Sequence, residues 1–245
     1  MDDQTTFRRI AAISTIVAGL AALATFFVVS LAVAFDFELM NDTAALVSLG
    51  AEAAEVLRWG EVLGTLGYYL LLVPAALFLW RWLRPRSFNL VDLYTVFGLA
   101  YLFIGAVGGA LRASVLPAMM AAYAEAPAAE QAVIAADFRT MTVVIFIGLG
   151  ALEALLGGLW LLGSGRVLRG ERRILGLVTA MLGLAFLGYG AGEWLRIEPL
   201  ISLGALLFLV WPFWAVWLGV VIWRNPKRAE PTIEPVTTAE HFAST

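Results

Sequence analysis

Hydrophobic residues make up 61% of this 245-residue chain and charged residues only 14%, against roughly 45–50% and about 25% in soluble domains. With a mean hydropathy of +0.86 the apolar surplus falls in long runs, which excludes a soluble globular fold and makes the lipid bilayer the first partner. A net charge of −3 points to no nucleic-acid partner, and the absence of cysteine removes disulfides, thiolate metal sites and cysteine nucleophiles.

The only histidine is His241 and the only lysine is Lys227, both beyond the last apolar run. Imidazole-held haem or copper and a lysine Schiff base are therefore not expected in the bilayer, and no cofactor or metal site is expected. The remaining cations are all arginine, which together with the abundance of Ala, Gly and Leu fits a bacterial coding sequence.

After a short N-terminus, 1–9, the first apolar run covers 10–35. Ala32-Val33-Ala34 resembles a signal-peptide cleavage site, but the run is too long for an h-region of about 7–15 residues, so an uncleaved span is expected. Asn41-Asp42-Thr43 reads as a helix N-cap. It precedes Leu46, Leu49, Ala53, Val56 and Leu57 at helical spacing, with Glu52, Glu55 and Arg58 between them. This is an amphipathic outer-face segment, or else an outward extension of the next span.

The second span is expected at 59–82, kinked by Pro74 and anchored by Trp80, Arg81, Trp82 and Arg84. The third covers 90–117. An Ala-rich stretch, 118–137, with Glu125, Pro127, Glu130 and Asp137 forms a second amphipathic outer-face segment. The fourth, fifth and sixth spans cover 138–163, 174–195 and 200–223. Residues 224–245, rich in Pro, Glu and Thr, read as a disordered tail. The fold expected is an all-α polytopic bundle of six transmembrane helices, residues 10–223.

Arginines set the orientation. Arg8 and Arg9 precede the first span, while Arg81, Arg84 and Arg86 follow the second. Arg166, Arg169, Arg172 and Arg173 follow the fourth, and Arg224, Lys227 and Arg228 the sixth. The intervening connections are mostly acidic. The positive-inside rule then places both termini in the cytoplasm and the chain in the cytoplasmic (inner) membrane.

Gly19-Leu20-Ala21-Ala22-Leu23, Gly98-Leu99-Ala100-Tyr101-Leu102 and Gly183-Leu184-Ala185-Phe186-Leu187 recur in the odd spans, as three parallel helical hairpins would require. Chance matches are also frequent in a chain so rich in these residues.

Three groups of residues are candidates for a site. Gly150, Glu153 and Gly157 share one helix face, so Glu153 turns into the bundle at a depth of roughly 20 Å. Tyr68, Tyr69 and Tyr101 fall at the same level and Tyr189 nearer the outer side, giving a candidate polar pocket of Glu153, Tyr69, Tyr101 and Tyr189. With no cation expected at that depth, Glu153 reads as protonated, either a proton or ligand site or a hydrogen bond between helices.

At the outer boundary Glu61, Arg112, Glu193 and Arg196 form a candidate charge network, or separate interfacial charges. Trp59, Trp194, Trp80, Trp82, Trp160 and Trp223 read as interfacial belts. Trp211, Trp214 and Trp217, beside Pro212, read as a stripe for a lipophile or as plain packing.

No catalytic residues are expected. Gly163-Ser164-Gly165 lacks the full nucleophile elbow, and no phosphate-binding, zinc-protease or di-iron pattern is present.

Three stretches carry a resemblance: Arg8-Arg9-Ile10-Ala11, Leu79-Trp80-Arg81-Trp82-Leu83-Arg84-Pro85, and Gly158-Leu159-Trp160-Leu161-Leu162 with Ile174-Leu175-Gly176-Leu177 after a basic turn. In these the chain resembles an uncharacterised family of six-span bacterial membrane proteins, a domain of unknown function. At the turn this chain has Gly170-Glu171-Arg172-Arg173 where the family tends to a hydrophobic-Pro-basic sequence. The resemblance implies a fold and a membrane, and no activity.

The function expected is that of a non-catalytic accessory, assembly or sensing component, working with other membrane subunits or as a homo-oligomer. A small-solute or proton-coupled transporter using Glu153 is the alternative, and an intramembrane lipid-modifying enzyme the third reading.

Overall fold

The computed structural model describes residues 3–36 and 39–224. Apart from Arg224, the expected tail lies outside the described residues, as do His241 and Lys227. Among the described residues six helical stretches are long and apolar enough to cross a bilayer, and no strand occurs. The helices are α1 (Asp3–Ala32), α2 (Thr43–Val47), α3 (Gly50–Tyr68), α4 (Val73–Leu83) and α5 (Phe88–Glu125). They continue as α6 (Ala128–Thr142), α7 (Gly150–Leu168), α8 (Arg173–Leu195), α9 (Glu198–Ile201) and α10 (Leu203–Arg224). In the bundle α3 neighbours α1 and α5, α7 neighbours α5 and α8, and α10 neighbours α8 and α1, which closes a ring.

The first outer segment starts as the sequence implies. Asp42 caps α2, its carboxylate accepting from the Ala44 and Ala45 amides at 2.9 and 3.1 Å. Gly50 then adopts φ +88°, a left-handed conformation that separates α2 from α3. From Gly50 onward the segment is a direct outward extension of the second span.

The second outer segment is likewise continuous with its neighbours. Helix α5 has 38 residues, about 57 Å at 1.5 Å per residue, nearly twice the roughly 30 Å of hydrocarbon. The stretch Ala128–Leu168 has 41 residues and a similar surplus. Pro127, which caps α6, marks the tip of a helical pair extending past the bundle. Its base is held by a second apolar core in which Val33, Val47, Met120, Phe138 and Ile145 are buried together.

Two irregularities lie in the middle of the bundle. Span two breaks between α3 and α4 at Tyr69, with φ −130° and ψ −71°, and passes through one tight turn, Leu70–Leu72. Pro74 is the cause: it has no N–H, and its ring would meet the carbonyl four residues back in a regular helix.

The other is a π-helical turn, Val143–Leu149, between α6 and α7. A regular helix would bring Leu152 under Ile145, seven residues on. Instead Leu152 is exposed and Ala151 buried. The wider turn takes one residue more to come round, so the face of Ile145 recurs at Glu153, eight residues on, rather than at Leu152.

The three Gly-Leu repeats do not occupy equivalent places. Gly19 lies against the Pro212 carbonyl in α10, whereas Gly98 and Gly183 both face α7, at Trp160 and at the Leu162 backbone. Threefold repetition would send each to the neighbour on the same side. The likeness reflects close packing of small residues.

Candidate functional site

The α3–α5–α7 face is built by seating large rings on glycines. A Cβ at Gly105 would fall inside the Tyr69 ring, and one at Gly157 would stand 2.8 Å from the Tyr101 ring. Gly98 leaves the seat for Trp160 in the same way, since a Cβ there would stand 2.7 Å from the ring. Tyr69, Tyr101 and Trp160 therefore stack through the centre, with Tyr69–Tyr101 and Tyr101–Trp160 centroids 5.7 and 5.9 Å apart.

A chain of polar groups starts from this stack. The Tyr69 hydroxyl donates to Glu153 Oε1 at 2.7 Å. The Arg112 guanidinium stands beside the same hydroxyl and donates through Nε to Glu61 Oε2 at 2.7 Å. Phe146, in the π-helical turn, lies 5.3 Å under the Arg112 cation. Glu61 and Tyr69 come from span two, Arg112 from span three and Glu153 from span four. The chain thus ties three helices together.

Two further tyrosines serve the backbone. Pro212 has no N–H to offer the Phe208 carbonyl, four residues back, and the Tyr68 hydroxyl donates to that oxygen at 3.2 Å. In the span-two break the Leu72 amide turns to the Tyr69 carbonyl, leaving the Tyr68 carbonyl without its helical donor. The Tyr101 hydroxyl donates to it at 3.2 Å. Each proline break is answered by a phenol from another span.

The sequence-derived groups are redistributed accordingly. Of the four pocket residues, Glu153 and Tyr69 bond directly, and Tyr101 packs on Tyr69 while its hydroxyl goes to the span-two backbone. Tyr189 stands apart, its ring over Gly204 and its hydroxyl toward Glu193 one turn along α8. The expectation of no cation near Glu153 fails, because the Arg112 side chain reaches inward to within electrostatic range of it.

Of the four outer charges, only Glu61 and Arg112 pair. Among the described residues no ion pair joins Glu193 or Arg196 to them. Arg196 is exposed and ends α8 in a left-handed conformation, φ 57°, where the Ile197 amide closes on the Gly192 carbonyl at 2.9 Å.

The tryptophan stripe also divides. Trp211 and Trp214 are 1% and 2% exposed, while Trp217 is 37% exposed on the outer face of α10. Trp214 donates to the Thr179 hydroxyl at 2.9 Å, joining α10 to α8. Trp211 packs on Tyr68 at 5.0 Å and so belongs to the central stack. Trp160 is likewise core and no interfacial belt residue.

Sequence reasoning missed the carbonyl-capping roles of Tyr68 and Tyr101. For Phe208 the position four residues before Pro212 was the available sign; Tyr68 lies six residues before Pro74 and carried none.

Six membrane-crossing helices closed around an aromatic and polar centre define the class, an all-α multi-pass membrane protein. No family model, no curated protein and no solved structure matches the chain.

Proposed function

We propose that the chain is a non-catalytic accessory component of the cytoplasmic (inner) membrane, serving assembly or sensing, with both termini in the cytoplasm. The observation that carries this reading is where the buried polar groups direct their bonds. Glu153, Tyr69, Arg112 and Glu61 bond one another, and Tyr68 and Tyr101 cap backbone carbonyls. A solute would have to break these bonds to bind at the centre. Two cavities lie elsewhere, around Trp80 at the arginine-rich end of span two. Partners would engage the helical pair around Pro127 or the arginine-rich turns. Orientation rests on those turns, and membership of the six-span bacterial family belongs to the same proposal.

The transporter reading draws on one observation, the break at Tyr69–Leu72 beside Glu153 together with Pro212 inside the continuous helix α10. The freed carbonyls of Tyr68 and Phe208 each already accept from a phenol.

Reconstitution into vesicles loaded with a pH-sensitive dye separates the two. The accessory reading expects proton leak equal in wild type, Glu153→Gln and protein-free vesicles. It further expects a partner of fixed mass on native mass spectrometry of protein released from its own membrane in mild detergent. A proton flux that depends on Glu153 would overturn it.

A further inference from the structure

At the arginine-rich end of the bundle a groove runs between α4 and α5. Its mouth, about 350 Å³, is lined by Trp80, Arg81, Arg84, Pro85 and Phe88. A second cavity of about 320 Å³ adjoins it through Trp80 and continues along the outer surface of the helices by Leu77, Thr95, Val96 and Leu99, with Asp92 at its rim. Asp92, Thr95, Val96 and Leu99 are spaced i, i+3, i+4 and i+7 on one face of α5, so the groove follows the helix for roughly 10 Å.

The two halves differ in chemistry. In the half away from the mouth the only hydroxyl, Thr95, donates to its own helix at the Val91 carbonyl, 2.8 Å away, which leaves aliphatic wall. At the mouth the charges do not cancel. Arg84 pairs with Asp92 at 3.0 Å, and Trp80 donates to the same carboxylate at 2.6 Å. Arg86 pairs with Glu171. Arg81 has no carboxylate partner among the described residues; it is exposed, with its guanidinium 4.5 Å over the Phe7 ring. The mouth therefore keeps one uncompensated cation, flanked by exposed Phe88 and by Trp80 at the level where lipid headgroups lie.

We infer that this groove is a binding site for one anionic phospholipid. Its phosphate lies against Arg81, and one acyl chain lies along Leu77, Val96 and Leu99. A guanidinium binds phosphate through paired N–H donors, and basic pockets between helices on the cytoplasmic side suit anionic headgroups. A soluble anion would leave the aliphatic half unused, and a zwitterionic lipid brings its own cation beside the phosphate, so the site would keep its net positive charge. The site lies apart from Glu153 and goes beyond the accessory reading.

The test is native mass spectrometry of the delipidated full-length protein, titrated separately with phosphatidylglycerol, phosphatidylcholine and inorganic phosphate. One phosphatidylglycerol should be retained, at least about fivefold more tightly than phosphatidylcholine, and inorganic phosphate should not displace it. Arg81→Gln should remove that preference, a loss of about fivefold for one arginine near an anionic surface, and Arg81→Lys should restore most of it. Val96→Trp, at a position 62% exposed and so harmless to folding, should fill the groove and abolish retention with Arg81 intact. Equal retention of the two lipids, displacement by phosphate alone, or unchanged retention in Val96→Trp would each overturn the proposal.

Discussion

Two interfaces in this bundle use glycine for opposite purposes. Between α7 and α8 glycines bring backbone onto backbone. A Cβ at Gly158 would stand 2.9 Å from the Gly183 carbonyl, and one at Gly165 only 2.5 Å from the Ala180 amide. Between α3, α5 and α7 the glycines hold space for rings, Tyr69 over Gly105 and Tyr101 over Gly157. The first interface gains from dispersion along closely packed backbones, with no side-chain hydrogen bond between α7 and α8 among the described residues. The second keeps the helices far enough apart for side chains to lie between them, and it is there that Glu153, Arg112 and Glu61 are accommodated. Polar groups in lipid need that intervening layer.

Substitutions should fail differently at the two. The largest effect is expected for Gly183→Val, because the Leu162 and Gly158 backbones have no room to yield. A loss of about 3 kcal/mol or more, read as a collapse of folded yield on size exclusion, would fit. A tolerated valine would show that the helices can separate.

Glu61→Gln comes next, because it strands Arg112. Stranding a buried partner costs about 3–5 kcal/mol, and the pair's partial exposure lowers the expectation to about 2 kcal/mol in thermal unfolding. An unshifted midpoint would mean that Arg112 finds water.

Tyr101→Phe removes only the donor to the Tyr68 carbonyl and should cost about 1 kcal/mol. An unchanged stability would show that the span-two break needs no cap. Smallest of all is Gly148→Ala, in the π-helical turn, where the nearest atom to a new Cβ is 4.0 Å away. It should be neutral, or stabilise by up to about 1 kcal/mol through helix propensity. Clear destabilisation there would mean that the wide turn itself requires glycine.

The six spans were legible because a run of about 20 apolar residues matches the thickness of the hydrocarbon layer and would be insoluble in water. Glu153 facing inward was legible from Gly157 on the same side. Its partner was not, since Tyr68, Tyr69 and Tyr101 are equivalent by depth and only the glycine seats sort them. Arg112 was placed by its Cα at the outer boundary, but its long side chain reaches inward. Tyr68 and Phe208 are 140 residues apart, so their bond could not be read from spacing, although Pro212 marks the carbonyl that needed a donor. The π-helical turn left no compositional trace, because it is a change of hydrogen-bond register within an ordinary apolar run. The same limit accounts for Trp160, whose depth matches the inner belt while Gly98 gives it a buried seat.

The central claim is that Glu153, Tyr69, Arg112 and Glu61 act as one structural unit joining spans two, three and four. A double-mutant cycle of Glu153→Gln and Arg112→Gln, read by denaturant unfolding in detergent, tests it most directly. The account predicts a coupling energy of about 1–2 kcal/mol, as for residues sharing one network. Additivity within about 0.5 kcal/mol would contradict it, leaving Glu153 and Arg112 as independent groups.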